Sequence, residues 1–223
     1  MKFTRGARLT AEFIGTAFLV AAVVGSGVMG EKLAGGNVAI ALLANTLATG
    51  AALVALIAAF GAISGAHFNP VVTLAEAVDG GLSWKDAGAY TVVQIVGGIF
   101  GAAVAHLMFG LSVFSVSLHP RQGSALVLSE FVATFGLLLV ILGCSRLRPS
   151  MVPVAVGAYI TAAYWFTAST SFANPAVTIA RSLSNTFAGI RPADVPFFLI
   201  AQVAGSLAAT LIFSRIGVRR AQA

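Results

Sequence analysis

From Leu33 to Ala75 the chain carries no Lys, Arg, Asp or Glu, and from Pro149 to Ala180 it again carries none. Each run is too long for one bilayer crossing of about 20 residues and too apolar for the core of a water-soluble domain. The wider composition agrees, with 58% of the 223 residues hydrophobic and 9% charged, where a soluble domain has roughly a quarter charged. The solvent for most of this chain is lipid. A net charge of +6 does not point to nucleic acid, because the basic residues are scattered between the apolar runs with no aromatic-interleaved patch. Cys144 is the single cysteine, and no Cys/His cluster has metal-ligand spacing, so no internal disulfide, metal or other cofactor is expected.

Apolar runs predict six transmembrane spans near residues 9–29, 38–61, 87–109, 126–145, 152–170 and 194–214. Lys2, Arg5 and Arg8 ahead of the apolar Phe13 to Val24 resemble a cleaved signal peptide. A retained first span is the stronger reading, because that segment has a counterpart later in the chain. Glu12-Phe13 before Thr16 is answered by Glu130-Phe131 before Thr134. Asn69-Pro70-Val71-Val72-Thr73 is answered by Asn174-Pro175-Ala176-Val177-Thr178, and Gln94 before Gly97-Gly98 by Gln202 before Gly205-Ser206. The matches keep their order, so residues 1–223 read as one domain written twice, repeat 1 over about 1–115 and repeat 2 over about 120–223.

Three spans per repeat is an odd number, so the second copy enters the membrane upside down. With both termini cytoplasmic, Lys2, Arg5, Arg8, Lys85, Arg146, Arg148, Arg215, Arg219 and Arg220 lie inside, and Lys32, Arg121, Arg181 and Arg191 outside. Nine basic residues against four satisfies the positive-inside rule.

Two apolar stretches remain, one after each Asn-Pro pair. Pro is tolerated in the first helical turn, where its missing N–H would be unpaired anyway, so Asn69 and Asn174 read as N-caps. Short helices are expected over Val71 to Val78 and from Pro175 to about Leu183. About ten residues at 1.5 Å each reach only halfway through the hydrocarbon. Entering from opposite faces, the two half-helices meet near the midplane with their N-termini together. Irregular backbone such as Ser64 to Phe68 survives at that depth only against protein or a water-filled cavity, so a pore is expected. Two positive helix ends and two Asn amides would repel cations and donate to a solute oxygen.

The constellation of Glu12, Glu130, Ser64-Gly65-Ala66-His67-Phe68-Asn69-Pro70-Val71 and Asn174-Pro175-Ala176 resembles the aquaporin and aquaglyceroporin family along nearly the whole chain. The resemblance implies an all-α integral membrane fold of six transmembrane helices plus two re-entrant half-helices in an inverted repeat. It further implies a pore in every protomer of a homotetramer in the cell membrane, with small neutral solutes and the lipid bilayer as partners. In most relatives an Arg follows the second Asn-Pro-Ala; here it is Val177. Carrying over the remaining filter positions by spacing gives Ser171, Thr49 and Ala162, none large, aromatic or charged. Such a filter is wider and less polar, which suits small polyols and neutral metalloid hydroxides. The Val resembles an unusual bacterial group linked to arsenic resistance, for which trivalent arsenic species are the implied permeants.

Glu12 and Glu130, ionisable groups inside spans, are either the charge pair of a proton-coupled carrier or anchors for the backbone of the re-entrant loops. The resemblance favours anchors and places His67 near the cytoplasmic mouth, as a pH gate or as a loop strut. Arg181, four residues after Val177, either takes over part of the missing Arg's electrostatics or snorkels to the headgroups. Its counterpart in repeat 1 is Glu76. Gly97 and Gly101 read as a helix-packing pair, and Trp84 and Trp165 as interfacial anchors. No nucleophile, base and orienting group fall at motif spacing, so an enzyme is not expected. A passive channel is the leading reading, with a broken-helix secondary transporter as the alternative and a non-conducting interaction protein third.

Overall fold

The computed structural model describes residues 3–217 and is all-helical over that range. Eight helices run in the order α1 (Arg5–Leu33), α2 (Val38–Ser64), α3 (Pro70–Val78), α4 (Trp84–Met108), α5 (Ser124–Leu147), α6 (Val152–Phe166), α7 (Pro175–Arg181) and α8 (Val195–Ile216). Lys2, Arg219 and Arg220, used above in the charge count, lie outside the described residues. Short polar side chains start the helices where the sequence supplies them: Thr4 caps α1, Asn37 caps α2 and Ser83 caps α4, each accepting from a backbone N–H of the first turn.

All six predicted spans are present. Five helices are long and apolar enough to cross a bilayer. The remaining span, α6, has 15 residues and stops at Phe166 instead of near 170. Thr167 is extended, and Thr170, Ser171 and Ala173 have positive φ, so the backbone leaves the helix to form the second re-entrant loop. The half-helix α3 ends at Val78 as predicted, whereas α7 stops at Arg181, about half a turn short of Leu183.

Packing follows the duplication. Helix α1 lies against α2 and α4, α5 lies against α6 and α8, and α2 against α6 joins the halves. Each half-helix also crosses to the other repeat, α7 onto α4 and α3 onto α8. Glycines let the backbones approach: a Cβ on Gly97 would sit 2.5 Å from the Phe13 carbonyl oxygen, one on Gly101 would strike that of Ala17, and one on Gly205 would sit 2.6 Å from that of Phe131. In lipid, where hydrocarbon offers no hydrophobic drive between helices, such close contact is the main source of association. Trp84 and Trp165 face outward as anchors would.

Beyond α4 and α7, segments 109–123 and 182–194 interlock through Ser115 N–H to the Leu183 carbonyl, Ser117 N–H to Ser182 and Arg191 N–H to His119. His106, to which the sequence assigned nothing, is fully buried beneath them. Its Nδ1 lies 2.9 and 3.0 Å from the Ser112 and Val113 carbonyls, which requires a proton on Nδ1, and its Nε2 lies 2.8 Å from Ser184 Oγ.

Candidate functional site: a pore closed by two Asn-Pro loops

Each re-entrant loop is held by a carboxylate from the first helix of its repeat. Glu12 accepts the His67 N–H at 2.9 Å and the Phe68 N–H at 2.7 Å, and Glu130 accepts those of Phe172 and Ala173, both at 2.9 Å. The loops need this. Ala66, Phe68, Ser171 and Ala173 have φ of +49, +48, +49 and +46°, a left-handed conformation that costs a non-glycine residue about 1 kcal/mol or more. Gln94 donates to Glu12 at 2.8 Å and to Thr73 at 2.9 Å, and Gln202 donates to Glu130 at 2.7 Å and to Thr178 at 2.9 Å. The carboxylates are thereby spent on loop amides, as anchors. The sequence marked the two glutamines only as repeat signatures; their recurrence was the available signal for a shared task.

At the meeting point, Asn69 accepts the Val71 N–H and Asn174 those of Ala176 and Val177. Asn69 Nδ2 donates to the Ala173 carbonyl and Asn174 Nδ2 to that of Phe68, both at 2.8 Å. Pro70, Val71, Pro175 and Ala176 fill the first turns behind them and are buried.

A cavity of about 490 Å³ extends from Glu76 and Arg146 at one end, past Asn69 and Asn174, to Val177 and Arg181 at the other. One wall is apolar, built from Leu19, Leu53, Leu137, Val156 and Ile160, and the other is the two re-entrant loops. Of the carried-over filter residues, Thr49, Ser171 and Val177 line this cavity. Ala162 does not: it is exposed on the outer side of α6. The cavity face of α6 is Val152, Val156, Ile160 and Tyr164, spaced by four, and a residue two positions from Ile160 and Tyr164 lies about 200° around the helix. Tyr164 takes the place assigned to Ala162 and donates its hydroxyl to Thr49 Oγ1 at 3.3 Å.

His67 lines the cavity and is tied to Thr73 Oγ1 at 3.0 Å, the geometry of a strut. Near it, Arg146 and Asp79 form a 2.6 Å ion pair between α5 and the end of α3. Arg181 does not snorkel. It is 2% exposed, its Nε donates to the Ala188 carbonyl, and its guanidinium carbon lies 3.4 Å from the Phe172 ring centroid. The loop from Ser182 to Ile190 folds over it and shuts off the route to the headgroups, which spacing along α7 could not reveal. Arg121 shares the ring, 4.9 Å from the centroid, and donates to the carbonyls of Gly189 and Ser169. Burial pulls Arg121 below its ordinary pKa, with the nearby Glu130 charge opposing.

Residues 2–169 and 144–223 each match the family described as major intrinsic protein. The chain belongs to the major intrinsic protein family. It is 55% identical over 202 residues to the aquaglyceroporin AqpS of Rhizobium meliloti (strain 1021), covering 91% of this chain and 86% of that one. It is 32% identical over 221 residues to aquaporin NIP1-4 of Oryza sativa subsp. japonica, covering 97% and 79%. The X-ray structure of the aquaglyceroporin from Plasmodium falciparum superposes with a TM-score of 0.75 over 97% of this chain and 96% of that one, and at 19% identity it speaks for the fold. As a major intrinsic protein with a lined cavity between its two repeats, the chain is a passive channel for small neutral solutes and not an enzyme.

Proposed function

We propose that this channel conducts glycerol-like polyols and neutral metalloid hydroxides such as arsenite, together with water. The observation that carries the reading is Val177 at the pore wall where most relatives hold Arg: a short apolar branch beside Thr49 and Ser171 leaves room and hydroxyls for a solute larger than water. As(OH)₃ is uncharged at neutral pH and presents hydroxyls much as glycerol does. The 55% identity to a protein named an aquaglyceroporin supports the polyol part of the reading. The Glu76 end of the cavity is the cytoplasmic mouth, both termini lie on the cytoplasmic side of the cell membrane, and the working unit is a homotetramer with one pore per protomer.

Proteoliposome flux of water, glycerol and arsenite, measured with and without a proton gradient, tests this. The expected result is flux of all three that ignores the gradient. Glycerol and arsenite retained outside while water passes would reduce the protein to a water channel; flux that follows the gradient would make Glu12 and Glu130 the charge pair of a carrier.

A further inference from the structure

Val177 removes the cation from its usual place at the pore wall, yet two guanidinium groups converge on one aromatic ring in the same half of the pore. Arg181 lies 3.4 Å and Arg121 4.9 Å from the Phe172 centroid. Arg181 lines the cavity beside Val177, Ser171 and Tyr164. The four ion pairs among the described residues use Arg5, Arg8, Arg146 and Arg191, so neither the Arg121 nor the Arg181 guanidinium is in an ion pair; Arg121 meets Asp194 only through its backbone N–H, at 2.8 Å. Of the two buried acids in this half, Glu130 is engaged by loop amides and Gln202, and Asp194 by the Arg191 guanidinium and the Arg121 backbone N–H.

An unpaired cation is costly to bury, and Arg181 is buried with Nη1 lacking any hydrogen-bond partner. A fold that only needed to fill this space would put an apolar side chain here. The ring face and the Ala188 carbonyl hold the guanidinium in position without neutralising it, since neither carries a formal negative charge. In a low-dielectric wall such a charge acts on the lumen through its field, and Arg121 adds a second of the same sign. Nη1, with its hydrogens uncommitted, is also a donor available to a permeant oxygen after a small rotation into the cavity.

We infer that Arg181, positioned by Phe172 and backed by Arg121, is a cation-rejecting group in the outer half of this channel, displaced one helical turn along α7 from the Val177 position. Outward displacement separates two tasks that one Arg performs together: Val177 leaves the narrow region wide enough for polyols, and Arg181 keeps the electrostatic barrier about 6 Å away. Arg121 is a positioning residue, whose bonds to Gly189 and Ser169 hold the two loops that carry Arg181's partners.

The inference rests on the channel reading, and the readouts keep the two apart. Full-length protein in liposomes is assayed for glycerol flux and for proton and sodium leak in the same vesicles. Absence of glycerol flux in the parent sinks the polyol reading, whereas glycerol flux accompanied by sodium leak above protein-free vesicles sinks only the barrier. Arg181→Gln should raise the ratio of cation leak to glycerol flux by about tenfold or more, since it deletes a charge acting through low dielectric. Placing Val177→Arg in that background should bring the cation leak itself back down toward the parent's, read as leak per vesicle because this substitution also cuts glycerol flux. Folded Arg181→Gln protein with the parent's ratio overturns the inference. If Arg181→Gln is not recovered folded, Arg181→Lys decides: a ratio near the parent's supports a charge barrier, and a rise as large as that expected for Gln overturns it.

Discussion

Asn69 and Asn174 each donate a side-chain amide hydrogen across the repeat boundary, to the Ala173 and Phe68 carbonyls, at the same 2.8 Å. Each asparagine therefore caps its own half-helix with Oδ1 and ties down the opposite loop with Nδ2. The junction is held by side-chain to backbone bonds in both directions, which explains why a polar pair sits buried between two apolar helical layers.

Replacing either asparagine by Asp retains the cap and deletes the cross-repeat donor, while placing negative charge at a positive helix end. Both single variants should leak protons and sodium more than the parent, in the vesicle assay above. Parent-level exclusion in both would remove the half-helix termini from the barrier.

Glu130→Gln substitutes one acceptor and one donor for two acceptors, so one of the Phe172 and Ala173 N–H groups loses its partner. The loss is worth about 1–3 kcal/mol, and it falls on a loop already carrying left-handed residues. Thermal unfolding in detergent should show a lower Tm for this variant and for Glu12→Gln. Equal Tm values for parent and variants would show that the carboxylates are dispensable to the loops.

Val177→Arg introduces a planar cation into a wall that now holds a short branch, next to Thr49 and Ser171. Glycerol and arsenite flux should fall by more than about tenfold, and water flux by much less, because the smaller solute still passes. Stopped-flow light scattering with each solute measures this. Undiminished flux of the larger solutes through folded protein would move the constriction elsewhere.

The Tyr164 and Ala162 positions make opposite predictions. Tyr164→Ala opens the cavity wall next to Thr49 and should admit four- and five-carbon polyols relative to glycerol several-fold better, as expected for selection by diameter. Ala162→Val, on the outer face of α6, should leave the polyol ratio as it was. The reverse pattern in the same flux series would restore the assignment by spacing.

Much of the architecture was legible in the order of residues alone. Charge-free runs required lipid, and the matched Glu, Asn-Pro and Gln landmarks required two copies with an odd number of crossings, because these are properties of covalent order and of the bilayer's thickness. The caps at Asn69 and Asn174 followed as well, since capping involves only neighbouring residues. Rotation and long-range closure were decided elsewhere. Which side of α6 faces the pore depends on how α2 and α5 pack on it, so spacing carried over from Asn174 to another helix gave Ala162 where the cavity face holds Tyr164. Whether Arg181 reaches the headgroups depends on the fold of residues 182–190 over it and on the Phe172 ring, brought together from separate loops. Local geometry propagates along a chain for a turn or two; contacts between segments far apart in sequence exist only once the tertiary structure has formed.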